Sequence, residues 1–243
     1  RQLLTVDFAA VRAEANALAG KIDNFLSKRE ESVLSKLVAI GGVAQGKTFE
    51  VQVKVRTEDL EAIETKLLSC DEITFTRGSC RKQYDTYMIF NDRWGSVLRY
   101  REDEIVDLKT GNFIDVIYRL TLTTKAKERE FENSVLLSRS RFDAAATRSR
   151  RFYREYFQPQ KEIEVQKERR RFHIRYKGTD FSVNLDRVTM PSGGSFVEIK
   201  SRTWSRQDAE HKAALIGELL QLFGISNEAL LRSEYVELAE AES

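Results

Sequence analysis

The 243-residue chain sets 40 Lys and Arg against 38 Asp and Glu, a formal charge of +2, so bulk electrostatics draw it to neither nucleic acid nor a membrane surface. Its 41% hydrophobic content and 14 Phe can fill a substantial core, while two Cys and two His argue against a zinc cluster or a disulfide scaffold. No apolar run approaches the ~20 residues that span a bilayer, and no secretory signal stretch is visible. A cytoplasmic protein without membrane contact is the expectation.

Residues 5 to about 41 read as helix. Asp7 is placed to cap it, and Phe8, Val11, Ala15, Leu18, Ile22 and Phe25 alternate spacings of three and four. This describes either an amphipathic helix lying on the domain or an arm that pairs with a second copy to give a homodimer. Gly41, Gly42 and Gly46 end it, which sets a helical segment, 1–44, before a main domain, 45–238.

Lys47 to Arg56 alternates strictly: Phe49, Val51, Val53 and Val55 on one face, Glu50, Gln52, Lys54 and Arg56 on the other. Thr57 is placed to cap a helix carrying Leu60, Ile63 and Leu67. A loop holding Cys70 and Cys80, which leaves a disulfide open, leads to the strand Q-Y-D-T-Y-M-I-F. The next strand, V-L-R-Y-R, puts Arg99 and Arg101 opposite Leu98 and Tyr100. In the strand after it Arg119, Thr121, Thr123, Lys125 and Lys127 oppose Leu120 and Leu122. Residues 138 to about 158, rich in Arg, Ala and aromatics, read as helix. Val165 to Lys200 then gives three strands, with Val165, Lys167, Arg169 and Arg171 on one face of the first. Ser205-x-x-Asp208 opens a last helix whose stripe is Ala209, Ala213, Ile216, Leu220 and Phe223 and which stops at Gly224. The tail after Ala239 is acidic and reads as frayed.

Two architectures fit charged faces on so many strands: an open sheet with a solvated charged face, or a sheet closed into a barrel with a polar lumen. Arg99, Arg101, Arg119, Lys125, Lys167, Arg169 and Arg171 share one sign, and like charges across a sheet repel. An anion rich in acceptor oxygens, such as a triphosphate, would relieve that repulsion.

The order of these pieces resembles the CYTH superfamily of triphosphate tunnel proteins, which includes class IV adenylyl cyclases, thiamine triphosphatases and inorganic triphosphatases. Glu50-x-Gln52-x-Lys54 stands where that superfamily has E-x-E-x-K, and Asp85-Thr86-Tyr87 matches its D-x-Y. Leu98 to Arg101, Leu122 to Lys125, Val165-x-Lys167-x-Arg169, Leu185 to Val188 and Phe196 to Lys200 follow in the same sequence. The resemblance implies an α+β fold, an antiparallel β-barrel with a polar lumen and helices packed outside. It implies hydrolysis of a triphosphate-bearing small molecule with Mg2+ or Mn2+. Catalysis would fall to Glu50, Lys54 and Glu198. Phosphate binding would fall to Lys54, Arg99, Arg101, Arg119, Lys125, Lys167, Arg169, Arg171 and Lys200, and metal binding to Glu50, Glu198 and Asp186.

Two positions depart from the pattern: Gln52 and Lys200 stand where the superfamily has glutamates that help hold metal or orient water. They put turnover and metal number in question more than phosphate binding. A non-catalytic domain for a nucleotide, polyphosphate or phosphorylated RNA end is therefore carried beside the hydrolase reading, with a cyclase and a β domain with a solvated face. Asp186 fits a metal or water ligand and an ion-pair partner equally well. His173 and His211 read as surface residues, and Arg139, Arg141, Arg148, Arg150 and Arg151 as a solvated basic cluster. Trp94 reads as a packing residue in a turn. Nucleic acid is a partner the sequence leaves open but does not favour.

Overall fold

The computed structural model describes residues 9, 11–18, 32–41, 44–92, 95–123, 127–131, 134–190, 193–226, 230–231 and 235–241. The chain divides into two compact units, Arg1–Ile40 and Gly41–Ser243. In the first, α1 covers residues 11–18 and α2 covers Val33–Ile40. The expected uninterrupted helix is not found. Ser32 lies outside the helical conformation, and its Oγ accepts the Ser35 N–H at 3.1 Å, so α2 has a start of its own. Of the expected seam, Val11 and Leu18 are 55% and 59% exposed, and Phe8, Ile22 and Phe25 fall outside the described residues.

Among its described residues the second unit holds ten strands and four helices. The strands are β1 (Ala44–Thr57), β2 (Ile73–Ile89), β3 (Val97–Val106), β4 (Phe113–Thr123), β5 (Lys127–Glu130), β6 (Val135–Ala145), β7 (Lys161–Tyr176), β8 (Thr179–Met190), β9 (Gly194–Thr203) and β10 (Leu230–Leu231). The helices are α3 (Leu60–Ser69), α4 (Arg150–Phe157), α5 (Arg206–Phe223) and α6 (Tyr235–Ala241). Strand order is β10-β1-β9-β8-β7-β2-β3-β4-β6-β5, with every pairing antiparallel. One further pairing, β1 with β6 from Ala44↔Asp143 to Gln52↔Val135, joins the strands that would otherwise lie apart. Eight strands, β1-β9-β8-β7-β2-β3-β4-β6, thus form a ring.

The alternation in β1, β8 and β9 explains what stands outside that ring and what stands inside. Val51, Val53 and Val55, Val183 and Leu185, and Val197 and Ile199 turn outward and are buried with Leu60, Ile63 and Leu67 of α3. Ala209, Ala213, Ile216, Leu220 and Phe223 of α5 complete this core. Each such aliphatic side chain contributes on the order of 1.5–3 kcal/mol through burial. The intervening residues of the same strands, Gln52, Lys54, Asn184, Asp186 and Glu198, are buried as well, although polar. A strand buried on both faces and polar on one lines a lumen rather than facing bulk water. Polar groups persist in such a place only if partnered.

α5 matches its sequence signals: the Ser205 Oγ accepts the Asp208 N–H at 3.1 Å, and Gly224 closes the helix at φ 75°. Three other expectations need correction. Residues 138–145 belong to strand β6 and not to a helix, because they pair with β1 on one edge and β4 on the other. The helix in that region, α4, begins only at Arg150, where the Ser149 Oγ accepts the Phe152 N–H at 3.4 Å. Cys80 sits inside β2 and Cys70 caps the end of α3; both are free thiols. The cap of α3 is Asp59, which accepts the Ala62 N–H at 2.8 Å, rather than Thr57. No described helix is long and apolar enough to cross a membrane.

Candidate functional site

The cross-strand register of the ring decides which charges meet. On β2 and β3, Asp85 faces Arg101, and the guanidinium reaches both carboxylate oxygens, Nε to Oδ1 and Nη2 to Oδ2, at 2.5 Å each. The same carboxylate has the Arg99 Nε at 3.9 Å and the Lys167 Nζ at 3.8 Å. Burial by itself would push the Asp85 carboxyl up. Arg101, then Arg99 and Lys167, outweigh it and hold the carboxyl well below the usual range. Lys167 pays the opposite way: burial and the neighbouring Arg169 bring its ammonium down to about 7 against the pull of Asp85. Arg99 also donates from Nη2 to the Thr121 Oγ1 at 3.3 Å, but its Nε is buried with no hydrogen-bond partner.

A second knot lies on β7, β8 and β9. Arg169 grips Asp186 through both oxygens, at 2.6 and 2.5 Å, and its Nη2 lies 3.1 Å from the Glu198 Oε2. Glu198 Oε2 also accepts from the Asn184 Nδ2 at 3.1 Å, and its Oε1 meets the Lys200 Nζ at 2.9 Å. Burial opposes ionisation of Glu198, but Lys200, Arg169 and Lys54 hold its carboxyl well below the ordinary value. Tyr235, the first residue of α6, donates its hydroxyl to the Asp186 Oδ2 at 2.6 Å. The ammonium groups of Lys54 and Lys167 stand 4.0 and 4.3 Å from the centre of its ring, and Phe196 meets that ring edge-on at 5.3 Å.

Tyr235 and Ala239 pack with Ile163, Val165, Val188 and Phe196, and Tyr87 joins them from β2, so this end of the ring is filled by apolar groups. Further along the β2–β3 pair, Asp103 of β3 collects Arg81 at 2.8 Å, the Gln83 Nε2 at 2.9 Å and Arg119 at 3.1 Å. Arg171 donates to the Asn184 Oδ1 at 2.8 Å. The Gln83 Oε1 is buried with no partner.

The structure therefore brings Lys54, Arg99, Arg101, Lys167, Arg169, Arg171, Lys200, Asp186 and Glu198 to one lumen, and Arg119 to its polar end. Glu50 is half-buried on the same face of β1, opposite Leu137 and Arg202. Lys125 and Trp94 lie outside the described residues. His173 is half-buried and His211 exposed. Sequence reading missed Gln83, Asp103, Asn184 and Tyr235, and it did not assign Asp85 a partner. A polar residue at every second position of β2, β3 and β8 was the available signal for the first three.

Of the two roles open to Asp186, the structure shows the ion pair. Glu198 and Asp186 are two of the three carboxylates expected to hold a divalent cation, Glu50 being the third, and their oxygens already accept from fixed guanidinium, ammonium, amide and hydroxyl donors. A magnesium ion bound at its ordinary ~2.0–2.1 Å would lie against those cations. Among the described residues no three acidic, His or Cys side chains form a metal cluster. The residues present do not fit a divalent ion at Glu198 and Asp186.

No protein-family model and no curated protein matches the sequence. Solved structures do match in fold. The PH1819 protein of Pyrococcus horikoshii is 18% identical with a TM-score of 0.56, over 80% of this chain and 99% of that one. The PH1012 protein of the same organism is 19% identical with a TM-score of 0.52, over 78% and 98%. A protein of Vibrio parahaemolyticus described as a putative adenylate cyclase is 16% identical with a TM-score of 0.52, over 80% and 99%. At such identities the likeness is one of fold. The chain shares with these proteins the curled antiparallel α+β fold that its resemblance to the triphosphate tunnel superfamily implies.

Proposed function

We propose that the lumen binds the phosphate chain of a triphosphate-bearing small molecule. The observation that carries this reading is the surroundings of Asp85: three cations, Arg99, Arg101 and Lys167, stand within 4 Å of one carboxylate. Taking Asp85 as one negative charge against Arg99 and Arg101 leaves an excess of one positive charge, and of two when Lys167 is protonated, in a space where each is nearly stripped of water. The unpartnered Arg99 Nε points to the same need, since a buried cationic donor without an acceptor costs about 1–3 kcal/mol or more. Around Asp186 and Glu198 the basic groups Lys54, Arg169 and Lys200 outnumber the two carboxylates by one. The two knots together carry two more positive than negative charges, and three once an anion brings Lys167 to its charged form, which suits a triphosphate.

Of the readings open at the sequence level, binding is better supported than metal-dependent hydrolysis, because Glu198 and Asp186 are spent on internal partners. Glu50 is the carboxylate on which a turnover reading rests. The test is calorimetric titration with inorganic tripolyphosphate, followed by product analysis of the same mixtures. One saturable site, weakened by salt and much weaker for orthophosphate, is expected. A flat titration discards the tunnel reading, and release of orthophosphate restores the hydrolase.

A further inference from the structure

The two positions that depart from the superfamily's pattern are not independent in space. Gln52 of β1 and Lys200 of β9 are direct cross-strand partners, and the next pair on the same face of those two strands is Lys54 with Glu198. Residues so paired share a face of the sheet. An amide-bearing and an ammonium-bearing residue are therefore paired on the lumen face, two register steps from Glu198.

The Lys200 ammonium lies 2.9 Å from the Glu198 Oε1, with its side chain 20% exposed and that of Glu198 3% exposed. The other oxygen, Oε2, takes Arg169 and Asn184, both at 3.1 Å. Three donors on one carboxylate leave little capacity for a further ligand. Each is anchored through its own strand, so the arrangement is part of the fold rather than a passing contact. A divalent ion seeks hard oxygen donors and a negative pocket. At this position it would find an ammonium, a guanidinium and an amide N–H.

We infer that the lumen takes its polyphosphate as the free, metal-uncomplexed anion, with Lys200 Nζ supplying beside Glu198 the positive charge that a divalent cation would bring. The inference rests on the reading of the lumen as a polyphosphate site and specifies which ionic form of the ligand it accepts. It has a consequence of definite sign. Magnesium bound to a polyphosphate cancels two of its negative charges, so the complex is attracted less by a cationic lumen. A metal-bridged site would show the reverse, with magnesium strengthening binding.

The experiment is calorimetric titration of the intact chain with inorganic tripolyphosphate, once with EDTA and once with magnesium in molar excess over the ligand. Binding in EDTA, weakened about tenfold or more by magnesium, is the expected result. Binding that appears only with magnesium, or tightens with it, overturns the inference while leaving the tunnel reading standing. No binding in either buffer overturns the tunnel reading, and this inference falls with it. Lys200→Glu supplies the second arm: in EDTA its affinity should fall by about tenfold or more, and magnesium should recover part of the loss. Lys200→Gln should show the loss without the recovery. Unchanged affinity in EDTA for either folded variant, judged by near-ultraviolet circular dichroism, also overturns it. The wild-type comparison decides the matter even if both variants fail to fold.

Discussion

Asp85 and Arg101 face each other across the β2–β3 pair and meet through both carboxylate oxygens, each contact at 2.5 Å, with Asp85 2% exposed. Breaking one side of a buried pair strands the other charge, which costs more than the pair contributes as a whole. Asp85→Asn also removes the negative charge that Arg99, Arg101 and Lys167 share. It is expected to lower stability by about 3–5 kcal/mol in urea unfolding, and Asp85→Leu with Arg101→Leu by less than the two single changes summed. A loss below about 1 kcal/mol for Asp85→Asn would mean the pair is not buried as described.

Arg99 should behave otherwise. Its Nε has no hydrogen-bond partner, and Asp85, which it approaches only to 3.9 Å, keeps the Arg101 fork without it, so Arg99→Met loses the 3.3 Å bond to Thr121 and little else and is expected to change stability by no more than about 1 kcal/mol. Tripolyphosphate affinity should fall by about tenfold or more, since a charged donor to the ligand is gone. A large stability loss with affinity unchanged would assign Arg99 to the scaffold alone.

Lys167 links the site to pH. In the folded chain its ammonium is held near 7 by burial and Arg169, whereas unfolded it keeps its proton to about pH 10.4. The unfolded state therefore binds more protons between those values, and stability rises with pH across that window. An anion in the lumen favours the charged amine. Tripolyphosphate binding at pH 8 should therefore take up more protons in the wild type than in Lys167→Met, measured in buffers of different ionisation enthalpy. Equal uptake in the two would remove Lys167 from the ligand's surroundings.

At the acid end the slope has the same sign, for a different reason. Asp85, Asp186 and Glu198 are all held below their ordinary values, each by cations that overcome the upward push of burial. Their contribution is present above the unfolded-state range of about 3.9–4.3 and is lost as pH falls below it. Urea midpoints should drop steeply from pH 5 to pH 3. A flat profile across that range would contradict the ion-pair assignment.

Tyr235→Phe removes the hydroxyl that donates to Asp186 and keeps the ring between Lys54 and Lys167. A loss of about 1–3 kcal/mol is expected, because Asp186 keeps the Arg169 fork but loses a charge-assisted bond. Tyr235→Ala should cost more, since the contacts with Phe196 and Val188 go with it. Equal effects for the two would show that only the hydroxyl matters.

Much of this lumen was legible because a strand writes its two faces at alternate positions. Arg99 with Arg101, and Lys167 with Arg169, could be assigned to one face from spacing alone. What spacing does not carry is register. That Asp85 meets Arg101, that Asp103 gathers Arg81 and Arg119, and that Gln52 meets Lys200 are facts about neighbouring strands. β6 was misread because its Arg and Ala residues suit a helix, while two flanking strands supply the hydrogen bonds that make it extended. Tyr235 was missed for a different reason. It lies in an acidic stretch with little periodicity, and only the half-filled end of the ring gives its side chain a place.

The double pairing of β1 also bears on how the chain is made. β1 is the first of the described strands to leave the ribosome, yet along one edge it waits for β6 and along the other for β9. Lys54 and its partner Glu198 are 144 positions apart, 198 minus 54. Loop closure over such a separation is slow and comes late. Until β9 arrives, the seam strand offers an open edge with three consecutive outward valines, the kind of edge that recruits a neighbouring chain. Nascent chains halted between β8 and β9 should therefore be the ones that a chaperone must shield.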